Sequence, residues 1–198
     1  HFDGGGLLQT LDPTSLAPLR TIAKDVIRMA VAPTGDAFAV VDTEGVLRWF
    51  DHFGTQVSTA RTSGEVLKMV WSTNGRTLGV LSDGHVWVFD AHSRVLLAEL
   101  SGEMDELWIS PDGRQILTAE LRDITVWDVA GRQLATLAHP AVIIVATFAP
   151  NGDQFYVGLG EGSVLVWDMA THTRKTTLPG DGVSVNAKHR LHAAVSVP

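Results

Sequence analysis

The 198-residue chain reads as an all-β repeat protein made of four-stranded antiparallel units, and three observations predict it. An alternating apolar phrase ending in aspartate returns at 7–12, 47–51, 86–90, 124–128 and 164–168. Its terminal residues Asp12, Asp51, Asp90, Asp128 and Asp168 are spaced by 39, 39, 38 and 40 residues. A fixed period of that size means one supersecondary unit per repeat. A turn marker runs in step, carrying Gly35, Gly75, Gly113 and Gly152 at spacings of 40, 38 and 39 residues. Glycine accepts the positive φ of a tight turn, and Pro33, Pro111 and Pro150 preset the residue before the bend. Finally, no stretch sustains a capped 3.6-residue apolar period, so almost no helix is expected.

Taken in order, residues 1–22 read as half a unit, with strands at 7–11 and 17–22. They match the last two strands, c and d, of a unit whose strands a and b are missing in front. Four complete units follow at about 26–62, 66–100, 106–137 and 142–178. The first has strands at 26–31, 37–41, 46–50 and 55–60, joined by the short turn-rich links of antiparallel hairpins. Strand a is the most apolar; 142–146 is apolar throughout and is expected to be buried on both faces. Strand d is the most polar. Arg174, Lys175, Thr176 and Thr177 suit an outer edge, where charge discourages further pairing. Residues 182–198 read as a second half unit holding strands a and b, complementary to the first half. Either the two halves meet in a closed five-unit ring, or the chain is an open arc of a larger array. No capping segment is recognisable at either end, although terminal repeats normally need one.

Bulk properties narrow the function. A formal net charge of −7 argues against nucleic acid and anionic membrane as general partners. There is no cysteine, so no disulfide scaffold and no thiol chemistry, which fits a cytoplasmic protein. The longest apolar run, 141–146, is far too short to span a bilayer. The chain begins at His1 rather than Met, so a segment of a longer protein is expected.

The Trp-Asp endings at Trp127-Asp128 and Trp167-Asp168, with the Pro-Asp-Gly and Pro-Asn-Gly turns, resemble the WD40 repeat over essentially the whole chain. The likeness is to a divergent, bacterial-type array. It implies a β-propeller of four-stranded blades: four complete blades with a half blade at each end. It also implies a non-enzymatic scaffold that binds a protein or peptide and needs no cofactor. Two other roles stay open: the sensor arm of a bacterial kinase, protease or NTPase, and a periplasmic propeller of the TolB-like kind.

Residues that recur at the blade period are expected to be structural: Phe50-Asp51, Phe89-Asp90, Trp127-Asp128, Trp167-Asp168 and the four turn glycines Gly35, Gly75, Gly113 and Gly152. Trp49 and Trp87 fall out of step with the repeating aromatic. The resemblance places His139 in a hydrogen-bonded set with Trp167, but the turn acid there is Glu161 and the aligned strand-b position is apolar, so the set is expected to be partial. No catalytic or metal site is expected: no G-x-S-x-G, H-E-x-x-H, P-loop or C-x-x-C pattern occurs. Gly158, Gly160 and Gly162 lie between two strands, not before a helix, and read as a hairpin turn. The loops joining strand d to a and strand b to c should emerge on one face. They collect Glu44, Glu65, Asp83, Glu103, Asp105, Glu161 and Asp181, with His139, against Lys24 and Arg122. Two readings of that face stay open: solvated turn residues that keep the protein soluble, or an acidic rim that recruits a basic segment of a partner protein.

Overall fold

The computed structural model describes residues 5–180, which contain strands and turns and no helix. Alternating apolar runs cut by glycine turns give four sheets in which strands consecutive in sequence are neighbours in space. The first holds β1 (Gly6–Leu11), β2 (Pro18–Val31), β3 (Ala37–Asp42), β4 (Val46–Asp51) and β5 (Gln56–Arg61). The second holds β6 (Val66–Trp71), β7 (Thr77–Ser82), β8 (His85–Asp90) and β9 (Leu96–Ser101). The third holds β10 (Glu106–Ile109), β11 (Gln115–Glu120), β12 (Asp123–Asp128) and β13 (Gln133–Ala138). The fourth holds β14 (Ile143–Phe148), β15 (Gln154–Leu159), β16 (Val164–Asp168) and β17 (Thr173–Leu178). Pairing is antiparallel, with the repeat kept in register: Phe38 faces Phe50, Leu78 faces Phe89, Ile116 faces Trp127 and Phe155 faces Trp167. These are the four blades of the predicted all-β class. The repeat reading takes 1–198 as a single array; in the structure the chain divides into two units between Thr136 and Leu137. The half blade expected at 182–198 lies outside the described residues.

The N-terminal half blade is a correction. Strands at 17–22 and 26–31 were expected to belong to two different blades. They form one strand, β2, which pairs with β1 over its first half and with β3 over its second. A single left-handed residue, Asp25 at φ 56°, lets the strand pass from one role to the other. The reason is the absence of a turn: Ala23-Lys24-Asp25 has no Gly or Pro to break extension. The β1–β2 hairpin therefore lies against the first blade, where Leu8, Ile22 and Val26 pack on Ala23, Val40 and Phe50.

Between blades of the first unit the core follows from strand alternation. Successive side chains point to opposite faces. Phe50 thus faces the hairpin cluster while Trp49, one residue earlier, faces the second blade. Trp49 is 1% exposed and sits edge-on to Trp71 and Phe89, with ring centroids 5.7 and 5.8 Å away. The out-of-step tryptophan is therefore core, as is Trp87 in the same cluster. A further cluster joins the second and third blades through Val86, Val88, Leu100, Leu107, Ile109 and Ile116, with Trp127 packed on it. Strand β14 departs from expectation: Ile144 and Val145 are 41% and 39% exposed rather than buried on both faces. β14 pairs with β15 along one edge, and that pairing does not cover its side-chain faces.

Candidate functional site

The period aspartates have a local job. Each carboxylate folds back on the turn that follows it. The Asp51 Oδ1 accepts from the Phe53 and Thr55 amides at 2.9 and 2.8 Å. The Asp90 Oδ1 accepts from the Ser93 amide and hydroxyl at 2.7 and 2.8 Å. The Asp128 Oδ1 accepts from the Ala130 and Arg132 amides at 3.1 and 2.9 Å, and the Asp168 Oδ1 from those of Ala170 and Thr171 at 3.1 and 3.0 Å. Asp12 does the same for Thr14 and Ser15 at 3.0 and 2.7 Å. Hydrogen bonds to the charged form hold a carboxyl below its usual range. The Ser15 amide does so for Asp12, the Ser93 amide for Asp90, the Arg132 amide for Asp128 and the Thr171 amide for Asp168. The four turn glycines take φ of 71–79°, and each amide donates back three residues. Both sets tie down their own turns.

His139 is a second structural element and not a rim residue. It is 6% exposed, and its Nε2 accepts a hydrogen bond from the Trp167 indole at 3.1 Å. Nε2 therefore carries no proton in this arrangement. In the third blade the same indole position, Trp127, donates to the Thr118 hydroxyl at 2.9 Å. The set that the resemblance implied for one blade is thus split over two: the histidine half in the fourth, the strand-b hydroxyl half in the third. Thr118 escaped the sequence reading because a threonine in a strand is ordinary β-propensity and carries no marker of its own.

The loop face is assembled by backbone ties. In the first unit the Thr43 amide bonds to the Asp25 carbonyl at 2.9 Å, the Thr62 amide to Gly45 at 2.9 Å and the Gly102 amide to Gly84 at 3.1 Å. The Ser82 hydroxyl reaches the Ser63 carbonyl at 2.5 Å, and the Asp105 amide reaches Ala119 at 2.8 Å. These bonds bring the d–a loops beside the b–c turns. Glu44, Glu65, Asp83, Glu103 and Asp105 are all exposed there. Two carboxylates missed in the sequence, Glu120 and Asp123, join Glu103 and Asp105. A hydrogen bond with Glu103, followed by burial and the charges around it, pushes the Glu120 carboxyl up. They were missed because they end β11 and begin β12, not the middle of a loop. In the second unit Glu161 is exposed on the β15–β16 turn. Asp181 lies outside the described residues. Asp42 is a further acid that sequence reading passed over. It is buried at the end of β3, takes the Glu44 and Val46 amides at 2.9 Å each, and pairs with the Arg48 guanidinium. Burial opposes its ionisation, but the Val46 amide and Arg48 outweigh it and hold the carboxyl below its usual value. Among the described residues, no three His, Asp or Glu side chains stand where they could hold a metal ion. No described helix is long and apolar enough to cross a membrane.

The family described as "WD domain, G-beta repeat" matches residues 131–168. That segment starts before β13 and ends on the Trp167-Asp168 pair, so the sequence repeat is offset by one strand from the structural blade. Residues 131–168 thus carry a WD40 repeat. The chain is 36% identical over 91 residues to "Protein groucho" of Drosophila melanogaster, covering 43% of this chain and 12% of that protein. It is 32% identical over 94 residues to "WD repeat-containing protein 90" of Mus musculus, covering 45% of this chain and 5% of that one. The chain thus corresponds to a small part of each of these WD40 relatives.

Proposed function

We propose that this WD40 segment is a non-catalytic interaction module whose acidic loop face docks a basic segment of a partner protein. WD40 domains generally serve as protein-interaction scaffolds, and a rigid β-framework commonly carries binding on its loops. The observation that carries the reading is the gathering of Glu103, Asp105, Glu120 and Asp123 in one neighbourhood, where a hydrogen bond with Glu103, then burial and the surrounding negative charges, raise the Glu120 carboxyl. Such a surface repels anions and gains from an incoming cation. Complementary charge mainly speeds association and selects partners. Exposed charges are screened beyond ~8 Å at physiological salt.

The test is association with a fluorescent lysine- and arginine-rich peptide, followed by anisotropy at low and physiological salt. The double variant Glu103→Lys/Asp105→Lys is expected to slow association and flatten its salt dependence. Unchanged binding in the double variant, or binding indifferent to salt, refutes the acidic face as the docking surface.

A further inference from the structure

A cavity of about 410 Å³ opens between the N-terminal hairpin and the first blade. Its size is within the range of about 300–1,000 Å³ typical of ligand pockets. One wall is β2, with Lys24 and Asp25; the other carries Asp42, Glu44, Arg48 and Gln56. The walls are fixed together by the bond from the Thr43 amide to the Asp25 carbonyl at 2.9 Å, so Asp25 and Glu44 border the same opening.

The charges of the lining do not cancel. Asp42 and Arg48 neutralise each other as an ion pair, and Asp42 is further held by two backbone amides. That leaves Asp25 and Glu44 against Lys24 alone. Among the described residues, none of these three side chains makes a hydrogen bond or ion pair. The cavity therefore holds one surplus negative charge and two carboxylates with their acceptor capacity free, beside the Gln56 amide.

We infer that this cavity takes one arginine side chain of a docking segment, its guanidinium held between Asp25 and Glu44. The inference rests on the acidic-face reading in that Glu44 belongs to that face. A guanidinium presents five donors in a planar fork, which suits acceptors carried on two walls of one cavity; an ammonium is a point charge and uses fewer of them. Charge-assisted bonds to both carboxylates make the contact stronger than a neutral one. Lys24 is then an antagonist within the site, and its removal strengthens binding.

The experiment is a titration of the ¹⁵N-labelled chain with N-acetyl-arginine amide and its neutral citrulline isostere. Amide shifts are expected at Asp25, Thr43 and Glu44 with the arginine compound and not with citrulline. Asp25→Asn/Glu44→Gln is expected to weaken binding about tenfold. Lys24→Ala is expected to tighten it several-fold, a gain that misfolding cannot produce. Equal shifts with citrulline, no shifts at all, or weaker binding in Lys24→Ala overturn the inference. Glu103→Lys/Asp105→Lys separates the two readings: it is expected to slow association of the basic peptide while leaving the affinity for N-acetyl-arginine amide unchanged.

Discussion

Replacing His139 by leucine keeps much of the buried bulk and removes the acceptor from the Trp167 indole. His139 is buried, and the indole donates to its Nε2 at 3.1 Å, so the substitution strands a donor in the interior. An orphaned buried donor costs about 1–3 kcal/mol, whereas removing both partners together costs less than the sum. A cycle of His139→Leu, Trp167→Phe and the double variant should therefore show a coupling of about 0.5–1.5 kcal/mol, the net worth of a neutral hydrogen bond. The readout is urea unfolding followed by far-ultraviolet circular dichroism, which survives the loss of a tryptophan. His139→Ala adds a cavity and should destabilise more than His139→Leu. The sequence reading expected only a partial set around His139; the bond it does make, from the Trp167 indole, is what this cycle weighs. Trp167→Ala remains the largest loss, at about 3–5 kcal/mol for a buried aromatic. If His139→Leu unfolds within about 0.5 kcal/mol of the parent, as an ordinary surface change does, the pair has been misread.

Two further outcomes are expected. Gly35 and Gly113 share a left-handed φ of 74° and 73°, but a Cβ at Gly35 meets nothing within 4 Å while one at Gly113 falls 2.7 Å from the Thr77 Oγ1. Gly35→Ala should cost about 1–2 kcal/mol for the backbone alone, and Gly113→Ala distinctly more; equal melting midpoints would show that packing at Gly113 is irrelevant. Asp12, Asp90, Asp128 and Asp168 ionise below the ordinary 3.8 in the fold. For lowered carboxyls the stabilisation is present above the unfolded value and disappears as pH falls through the folded values. Thermal midpoints should hold from neutrality to about pH 4 and drop below it. Asp128→Asn, which keeps an acceptor but does not titrate, should shallow that drop.

The blade pattern was legible because each signal is local. A glycine turn, an alternating strand and an aspartate beside its own turn need only a few neighbouring residues. What failed was non-local. Nothing in 17–31 announces that one strand serves two partners, because the switch rests on a single left-handed Asp25. The burial of β14 was overestimated because an apolar run reports what a strand tolerates, not what covers it. The acidic face was read from loop positions, and the ties from Asp25 to Thr43 and Gly84 to Gly102 place those loops together. Glu120 and Asp123 needed the fold, since strand ends look like strand interiors in sequence.

Neighbouring blades of the first unit are stitched largely to main chain. The Asn74 amide and side chain bond to the carbonyls of Pro111 and Asp112 at 3.0 and 2.7 Å. The Thr77 hydroxyl bonds to Gly113 at 2.9 Å, and the Arg28 Nε to Leu67 at 3.3 Å. A backbone carbonyl is the same acceptor whatever side chain its residue bears. Such a stitch constrains the donor residue and, except where close packing intervenes as at Gly113, leaves the acceptor residue free to change. Each repeat can then drift in composition without notifying the next, and compensating pairs of substitutions are unnecessary at these seams. Divergence among these three blades fits that freedom: Ala-Pro-Thr-Gly, Ser-Thr-Asn-Gly and Ser-Pro-Asp-Gly fill one geometric role with three different texts.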